Sequence, residues 1–493
     1  MCGPVSGAPR TATRSTCRRT IVTEVLVVGG GPAGMAAALA ARRHGARVVL
    51  LEAGDDVGGQ YWRHLPAGRA DAGERHWHHG WDRFLALRAA LRDDADCEIV
   101  TGAHVWSVDR RDGAPPLVHV VVGEPDGQGR EPRTYDPAAL VLATGAYERT
   151  LPFPGWDLPG VFTAGAAQTL AKGERVAVGR RVLVAGAGPF LLPVVSSLLR
   201  VGAEVAGVVE AARPAQLAAG WATRPWELLA ARRKAGELAG YARELAARRI
   251  PYRTGAAVVA AHGTDRVEAV TVARLTRQWA PVPGTERRIE VDAVCVSHGF
   301  LPRTELATAA GCAVGADGAV TVDARQLTSV PGVLTAGELT GIGGVDLALA
   351  EGEIAGSVAA GGTPAPGAVR ERAVFRRFAA RLAAAHGILP GWQAWLDDGT
   401  VVCRCEDVTA GALRRTAELT GSRGLRSLKL TTRAGLGLCQ GRTCGRTVED
   451  LLAGADGVGL LDPGRTAHRP IAIPVRLGEL SDSTRTRNRE DLP

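Results

Sequence analysis

The stretch "TEVLVVGGGPAGMAAALAARRHGARVVLLEAG" constrains the fold of this chain more than any other. Val25 to Val28 is an apolar run of strand type, and the Ala-rich run to Arg43 has helix composition. Gly29, Gly31 and Gly34 lie between and at the start of these two segments. Glycines at this spacing give a tight turn, a close approach of backbone to pyrophosphate, and close packing of helix on strand. The helix N-terminus, with Pro32 and Ala33 in its first turn, then faces the phosphates. Gly45 follows as a cap. "ARVVLLEAG" supplies a second strand ending in Glu52, whose carboxylate can accept both ribose hydroxyls of an adenosine. A dinucleotide-binding βαβ unit is the expected fold, against the alternative of a glycine-rich turn in an unrelated α/β protein.

The pattern returns in "RRVLVAGAGPFLLPVVSSLLRVGAEVAGVVEAA". Gly186 and Gly188 match the first two glycines and Glu210 matches the ribose-binding acid, but Leu191 stands at the third glycine. A leucine there is expected to push the helix off the strand and loosen the grip on phosphate. Glu210 would repel a 2′-phosphate, which disfavours NADP relative to NAD or plain ADP/ATP. A domain kept for packing alone is the other reading. "RTGAAVVAAHGTDRVEAVTVA", with its turn near Gly263, is expected to be an antiparallel hairpin. Two such units within 493 residues fit a chain of two to four domains.

The net charge of +8 raises nucleic acid as a partner. The arginines, however, are scattered or lie in the N-terminal tail, and aromatics make up only 4% of the chain, so no basic stripe interleaved with aromatics exists. Nucleic acid is not an expected partner. The first twenty residues lack the apolar run of a signal peptide and read as a disordered tail. No apolar run reaches the ~18 residues of a membrane span. A cytoplasmic location follows as the expectation, and there paired cysteines point to metal rather than to disulfides.

Four of the nine cysteines stand in two tight pairs, in "VVCRCEDVT" and "GLGLCQGRTCG". Cys403 and Cys405 flank Arg404, and Cys439 and Cys444 follow 33 residues later. Four thiolates from two short loops can close on zinc or hold a [2Fe–2S] cluster. The Cys-x-Cys arm and glycine-rich second loop favour the cluster, because backbone N–H groups can point at the sulfurs. Zinc and free structural thiols remain the alternatives. Arg404 and Arg442 could offset the cluster's negative charge. Cys2, Cys17, Cys97, Cys295 and Cys312 form no CxxC pair, so thiol–disulfide catalysis is not expected. "HWHHG", His76 to His79, shows no carboxylate or cysteine partner and reads as a surface loop.

Glu52 is followed by "DDVGGQ", and later come "ALVLATGAYERTLPFPGWDLPGV" and "PGVLTAGELTGIGGVDLALAEGEIAG". These resemble the FAD-binding set of the glutathione- and thioredoxin-reductase-like flavoproteins, in the same order across residues 22 to 360. The matching elements are Gly58–Gly59, Ala143-Thr144-Gly145 and Gly337-Glu338. The resemblance implies FAD contacts from these residues and from Gln60, Val105, Gly344 and Val345. Gln60 reads equally well as a solvated loop residue. The family usually has Asp where Glu338 stands, which puts the ribitol contact in question. The Gly343–Gly344 turn would open a helix facing the flavin pyrimidine.

The C-terminal cysteine segment resembles the bacterioferritin-associated-ferredoxin-like (BFD-like) [2Fe–2S] domain. Together the two halves resemble the large A (alpha) subunit of heteromeric amino-acid and opine dehydrogenases. That group includes the opine oxidase, hydrogen cyanide synthase and dye-linked proline or hydroxyproline dehydrogenase types, and the likeness runs to the tail "HRPIAIPVRLGEL". It implies an electron-transfer role. A second FAD-containing subunit would oxidise the amine, and a small ferredoxin-like [2Fe–2S] subunit would complete the complex. Electrons would leave toward a membrane or quinone-linked acceptor. A self-sufficient NADH-dependent reductase is the runner-up, and a nucleotide-binding scaffold without redox turnover is a third reading.

The expected fold class is α/β: two Rossmann-like dinucleotide-binding domains and a small helical C-terminal [2Fe–2S] domain. The expected organisation is a tail at 1–20, an FAD domain at 21–150 and 291–362, and a second nucleotide domain at 151–290. A linker and helix follow at 363–398, the cluster domain at 399–465 and an extended tail at 466–493.

Overall fold

The computed structural model of the chain describes residues 20–69, 73–223, 227, 231–422, 424–454, 468–469 and 471–484. The expected N-terminal tail therefore lies outside the described residues up to Thr20. The first unit is built on β1 (Thr20–Val28), β2 (Val48–Leu51), β3 (Cys97–Val100), β4 (Ala103–Arg111), β5 (Ala114–Val122) and β6 (Glu131–Leu142). Their order is β3-β2-β1-β6-β5-β4, and Val333–Thr335 joins parallel to β6. Val25 to Val28 are buried, as expected of a parallel strand covered on both faces. The Pro32–Arg43 helix starts with Pro at its first turn, where the missing N–H costs nothing. It ends against Gly45, whose φ of +85° suits only glycine well.

The Val345–Ala359 helix lies on this first helix at backbone contact. A Cβ on Gly352 would stand 2.1 Å from the Ala33 carbonyl oxygen, and one on Gly356 would stand 1.9 Å from that of Ala37. Small residues on both helices make this crossing possible.

After a short strand, β7 (Ala146–Glu148), the second unit begins with β8 (Val161–Thr163), β9 (Arg181–Gly186), β10 (Glu204–Glu210) and β11 (Tyr252–Thr254). The expected hairpin follows as β12 (Ala256–His262) and β13 (Ala269–Arg274), extended by β14 (Arg287–Glu290). Then β15 (Ala293–Ser297) inserts into the sheet, giving the order β11-β10-β9-β15-β8. The boundary expected at residue 290 is thus too early: the second unit runs through Ser297. It returns to the first unit on β16 (Phe300–Pro302), which pairs with β7. Leu191 is accommodated by delaying the helix rather than displacing it. That helix runs Leu191–Arg200, beginning at the position of the third glycine, whereas the first unit's helix begins two residues earlier in the motif. Leu191 is fully buried in the apolar cluster beneath it.

Within the stretch 363–398, expected to hold a linker and a helix, a 21-residue helix, Pro366–His386, takes up most of the length. It is held to the first unit by Glu351, which is fully buried. Glu351 Oε2 accepts the Gly337 N–H at 3.0 Å and the Thr340 hydroxyl at 2.6 Å, and Oε1 accepts Arg376 Nε at 2.8 Å. A 3-10 segment, Pro390–Trp395, leads into the cysteine module. The module comprises a small ribbon at Val401–Cys403 and Val408–Thr409 and helices at Ala410–Thr420, Leu425–Thr432 and Gly445–Gly454. The tail is not simply extended. Ala472 N–H bonds the Trp106 carbonyl at 2.7 Å, and the helix Leu477–Thr484 carries Glu479, which takes Arg130 bidentately at 2.7 Å. Among the described residues no helix is long and apolar enough to cross a membrane.

Candidate cofactor sites

The first unit gathers the expected flavin-binding residues at the carboxyl ends of β1, β6 and Val333–Thr335. Gly29 has φ +107°, and a Cβ there would stand 2.3 Å from the Ala143 carbonyl oxygen. Ala143 N–H in turn bonds the Val28 carbonyl, and Thr144 Oγ1 donates to the Arg303 carbonyl at 2.8 Å. Gly337, φ +78°, lies against Ala33, where a Cβ would meet that side chain at 2.9 Å. Gly31 differs from these: a Cβ would meet nothing closer than Gly59 Cα at 3.9 Å. The space above the Gly31–Gly59 contact is the cradle a pyrophosphate needs, so the residues fit an adenine dinucleotide.

Glu52 is half-buried at the mouth of this crevice. Its Oε2 accepts the Gly30 N–H and its Oε1 the Gly54 N–H, both at 2.7 Å. Val105 is buried with Val49 and Leu51 in the apolar layer behind Glu52. Gln60 is exposed and accepts from Arg63 Nε at 3.1 Å, the solvated-loop role.

Glu338 uses its additional methylene to reach the start of the Val345–Ala359 helix. Oε1 accepts the Gly344 N–H at 2.8 Å and Oε2 that of Gly343 at 3.2 Å. Burial pushes its carboxyl up to about 7 despite these two donors. Val345, the first residue of the helix, packs on the first unit's core. The carboxyl thus caps two N–H groups at the start of that helix, the helix that by resemblance would face the flavin.

The four cysteines of the module meet as two pairs. Cys403 lies beside Cys444, and Cys405 beside Cys439. Among the described residues no group of three or more His, Cys, Asp or Glu converges as it would on a single ion. Four thiols brought from two short loops are the all-cysteine donor set that would hold a [2Fe–2S] cluster, the same set a Cys₄ zinc site would use. The backbone supplies the expected donors. Gly435 N–H points at Cys403 Sγ at 3.4 Å, and the Cys403 thiol is drawn down to about 6, first by Cys444 and then by such N–H groups. Burial opposes ionisation of Cys439, but the N–H groups of Thr443 and Gly441 and the Cys405 thiol bring it below the usual range. The residues fit the cluster. Cys403 and Cys444 are buried, whereas Cys405 is exposed, so the pair at Cys405 faces outward.

The two cofactor regions are joined by an element that sequence reasoning did not foresee. Arg442, in the second cysteine loop, donates from Nε to Tyr147 OH at 2.9 Å and to Glu305 Oε1 at 3.0 Å, and from Nη1 to the Cys439 carbonyl at 3.2 Å. Tyr147 lies in β7, two residues past the Ala143–Gly145 crossover. Arg404 instead lies over the Trp156 ring at 5.2 Å. Arg149, just past β7, is tied to Asp450 of the module, while Arg303 lies at the crossover itself, its guanidinium over the Tyr147 ring at 5.2 Å. His78 also departs from expectation. It is buried, with Nε2 3.2 Å from Glu74 Oε2, because Glu74 lies one helical turn earlier, and burial lowers its pKa to about 2. His78 is packed in a histidine–carboxylate pair, while His76 and His79 are exposed as the surface reading expects.

In the second unit Gly186 has φ +143° and Gly188 φ +111°, as a phosphate turn requires. Glu210 Oε2 accepts the Gly188 N–H and Oε1 the Ala212 N–H, both at 2.9 Å, but Glu210 is fully buried.

Residues 23–352 match the pyridine nucleotide-disulphide oxidoreductase family, and residues 401–454 match the BFD-like [2Fe–2S] binding domain. The A subunit of opine oxidase from Rhizobium meliloti is 32% identical over 94% of this chain and 88% of its own length. The HcnB subunit of hydrogen cyanide synthase from Pseudomonas aeruginosa is 34% identical over 89% of this chain and 95% of its own. The crystal structure of L-proline dehydrogenase from P. horikoshii shares the fold, with a TM-score of 0.64 at 21% identity over 94% of this chain and 80% of that one. The expected fold class is therefore correct, and the pyridine nucleotide-disulphide oxidoreductase domain implies FAD and the BFD-like domain [2Fe–2S]. This chain belongs to the pyridine nucleotide-disulphide oxidoreductase family, in the flavoprotein oxidoreductase branch that includes HcnB and the A subunit of opine oxidase and ends in a BFD-like [2Fe–2S] domain.

Proposed function

We propose that this chain is the FAD- and [2Fe–2S]-carrying electron-transfer subunit of a heteromeric amino-acid, amine or opine dehydrogenase. The observation that carries the reading is Arg442, which hydrogen-bonds the cysteine loop to Tyr147, just past the flavin-side crossover. FAD, when bound, would take electrons in pairs and give them up one at a time, and the cluster would exchange them singly. The chain's own residues hold the two at a fixed separation and leave the Cys405 rim open to a redox partner. Arg149 is engaged by Asp450 of the module. In this reading the amine is oxidised on a second, FAD-containing subunit, and a small ferredoxin-like [2Fe–2S] subunit completes the assembly. Electrons leave toward a membrane- or quinone-linked acceptor, and the complex resides in the cytoplasm or at the membrane's inner face through its partners. Similar relatives spanning nearly the whole chain bear the names of subunits, which supports a heteromeric reading.

The test is anaerobic stopped flow on the isolated chain and on the chain co-expressed with a candidate amine-oxidising flavoprotein. Amino acids or opines are expected to leave the isolated chain's flavin oxidised and to drive dye reduction only in the complex. Rapid amine-driven bleaching of the isolated chain would make it a complete dehydrogenase.

A further inference from the structure

In a doubly wound sheet, a nucleotide lies outside the carboxyl ends of the strands where the order reverses. In the second unit that point is at β9 and β15, where the Gly186–Gly188 turn meets Ser297 and His298. The chain itself fills this crevice. Ala187 of the turn and Ala211, just past Glu210, belong to one apolar cluster with Trp279, Trp392, Trp395 and Leu396.

Trp395 stacks on Trp279 with ring centroids 6.5 Å apart and planes 12° apart, and its Nε1 donates to the Trp279 carbonyl at 2.8 Å. Its ring also lies 5.8 Å from the imidazole of His298, a group that burial keeps neutral with a pKa of about 3. The covering segment is fixed at both ends. Gly391 N–H bonds the Gln278 carbonyl at 2.8 Å, and Gln216 Nε2 bonds the Gly387 carbonyl at 3.1 Å. At its start, His386 Nδ1 lies 3.5 Å from Glu210 Oε2.

Comparison of the two acids shows what this does. Glu52 and Glu210 each hold two backbone N–H groups at the end of a second strand, yet Glu52 stays partly open and Glu210 is sealed. A ribose cannot reach Glu210 without displacing His386, and the alanines flanking the turn and the acid, Ala187 and Ala211, are packed in one apolar cluster with Trp395 and Trp279, where a nucleotide base would have to enter. The residues present do not fit a dinucleotide.

We propose that the crevice of the second unit is the socket for the chain's own 386–396 segment, which replaces a nucleotide there and anchors the cysteine module. FAD in this protein is then not served by NADH or NADPH. This holds whether or not the chain relays electrons for an amine-oxidising partner.

Isothermal calorimetry on the full-length, FAD-loaded chain with ADP and with NAD⁺ provides the test. No saturable binding tighter than about 1 mM is expected, and acid-released nucleotide should be FAD alone. Trp395→Ala, which removes the indole from the apolar cluster, is expected to bind ADP at least tenfold more tightly than the unaltered chain. Micromolar ADP or NAD⁺ binding by the unaltered chain, or co-purified ATP, ADP or NAD⁺, would overturn the proposal. A folded Trp395→Ala chain without the gain in ADP affinity would also sink it. If that variant does not fold, the titration and the extract of the unaltered chain decide alone.

Discussion

A methyl group added at Gly31 and one added at Gly34 meet different neighbours, and so separate cofactor binding from folding. At Gly34 the Cβ would fall 1.7 Å from the Gly29 carbonyl oxygen, a backbone atom of the turn itself. At Gly31 it would enter only the open cradle. Gly31→Ala is therefore expected to fold with a near-normal melting temperature but to purify without flavin, whereas Gly34→Ala is expected to fail to fold; flavin-to-protein ratio and thermal denaturation distinguish the two. Glu338 gives a pH-dependent counterpart. Its carboxyl is raised from the ordinary 4.5 to about 7 by burial, so the neutral form is favoured in the folded chain. The stability this confers is complete below pH 4.5 and is lost as pH rises through 7. In flavin-stripped protein, stability relative to Glu338→Gln should fall across that window by about 2–3 kcal/mol, read from denaturation midpoints at about pH 5 and pH 8. The glycine roles are legible in the sequence because each is a local matter of turn and contact. The reach of Glu338 to Gly343 and Gly344 is not, since it depends on where a long side chain settles.

At the scale of elements, the crossing of the Pro32–Arg43 and Val345–Ala359 helices sets the geometry of the flavin crevice, because both N-termini open onto it. Alanine is a better helix former than glycine by about 1 kcal/mol, so Gly356→Ala could be read as stabilising. The clash decides against that: its Cβ would lie 1.9 Å from the Ala37 carbonyl oxygen, and only separation of the helices relieves it. A net loss of about 1–3 kcal/mol is expected, with weakened flavin retention, measured by chemical denaturation and by flavin release on dilution. The strands and helices are largely readable from period and glycine position. The delayed start of the Leu191–Arg200 helix and the insertion of β15 into the second sheet are not. The first escapes pattern because a bulky residue can be absorbed by moving a helix start as well as by moving a helix. The second depends on pairing between strands more than a hundred residues apart, β15 against β9, which local pattern does not encode.

For the molecule as a whole, the cofactor-binding ends are visible in the sequence and the joint between them is not. Cys403, Cys405, Cys439 and Cys444 declare themselves by spacing, but Arg442 meets Tyr147 across nearly three hundred residues, and Trp395 meets Trp279 across more than a hundred. The available clue is "PGWQAW", two tryptophans in a turn of otherwise small and polar residues. The buried Glu351, shared by Gly337, Thr340 and Arg376, bears on how such a protein could have arisen and how it could be taken apart. Its carboxylate sits in the reductase half, and one of its ligands comes from the helix that leads to the ferredoxin half. A fusion of two ancestral genes leaves, at first, a tether that can be cut without loss. Here the two parts share a buried ligand set: severing the gene between Gly361 and Gly362 would leave Glu351 without Arg376 on one product and an arginine-rich helix on the other. The two halves, expressed separately, are expected to be poorly soluble alone and to recover only when produced together, which size-exclusion chromatography of separate and joint expressions would reveal.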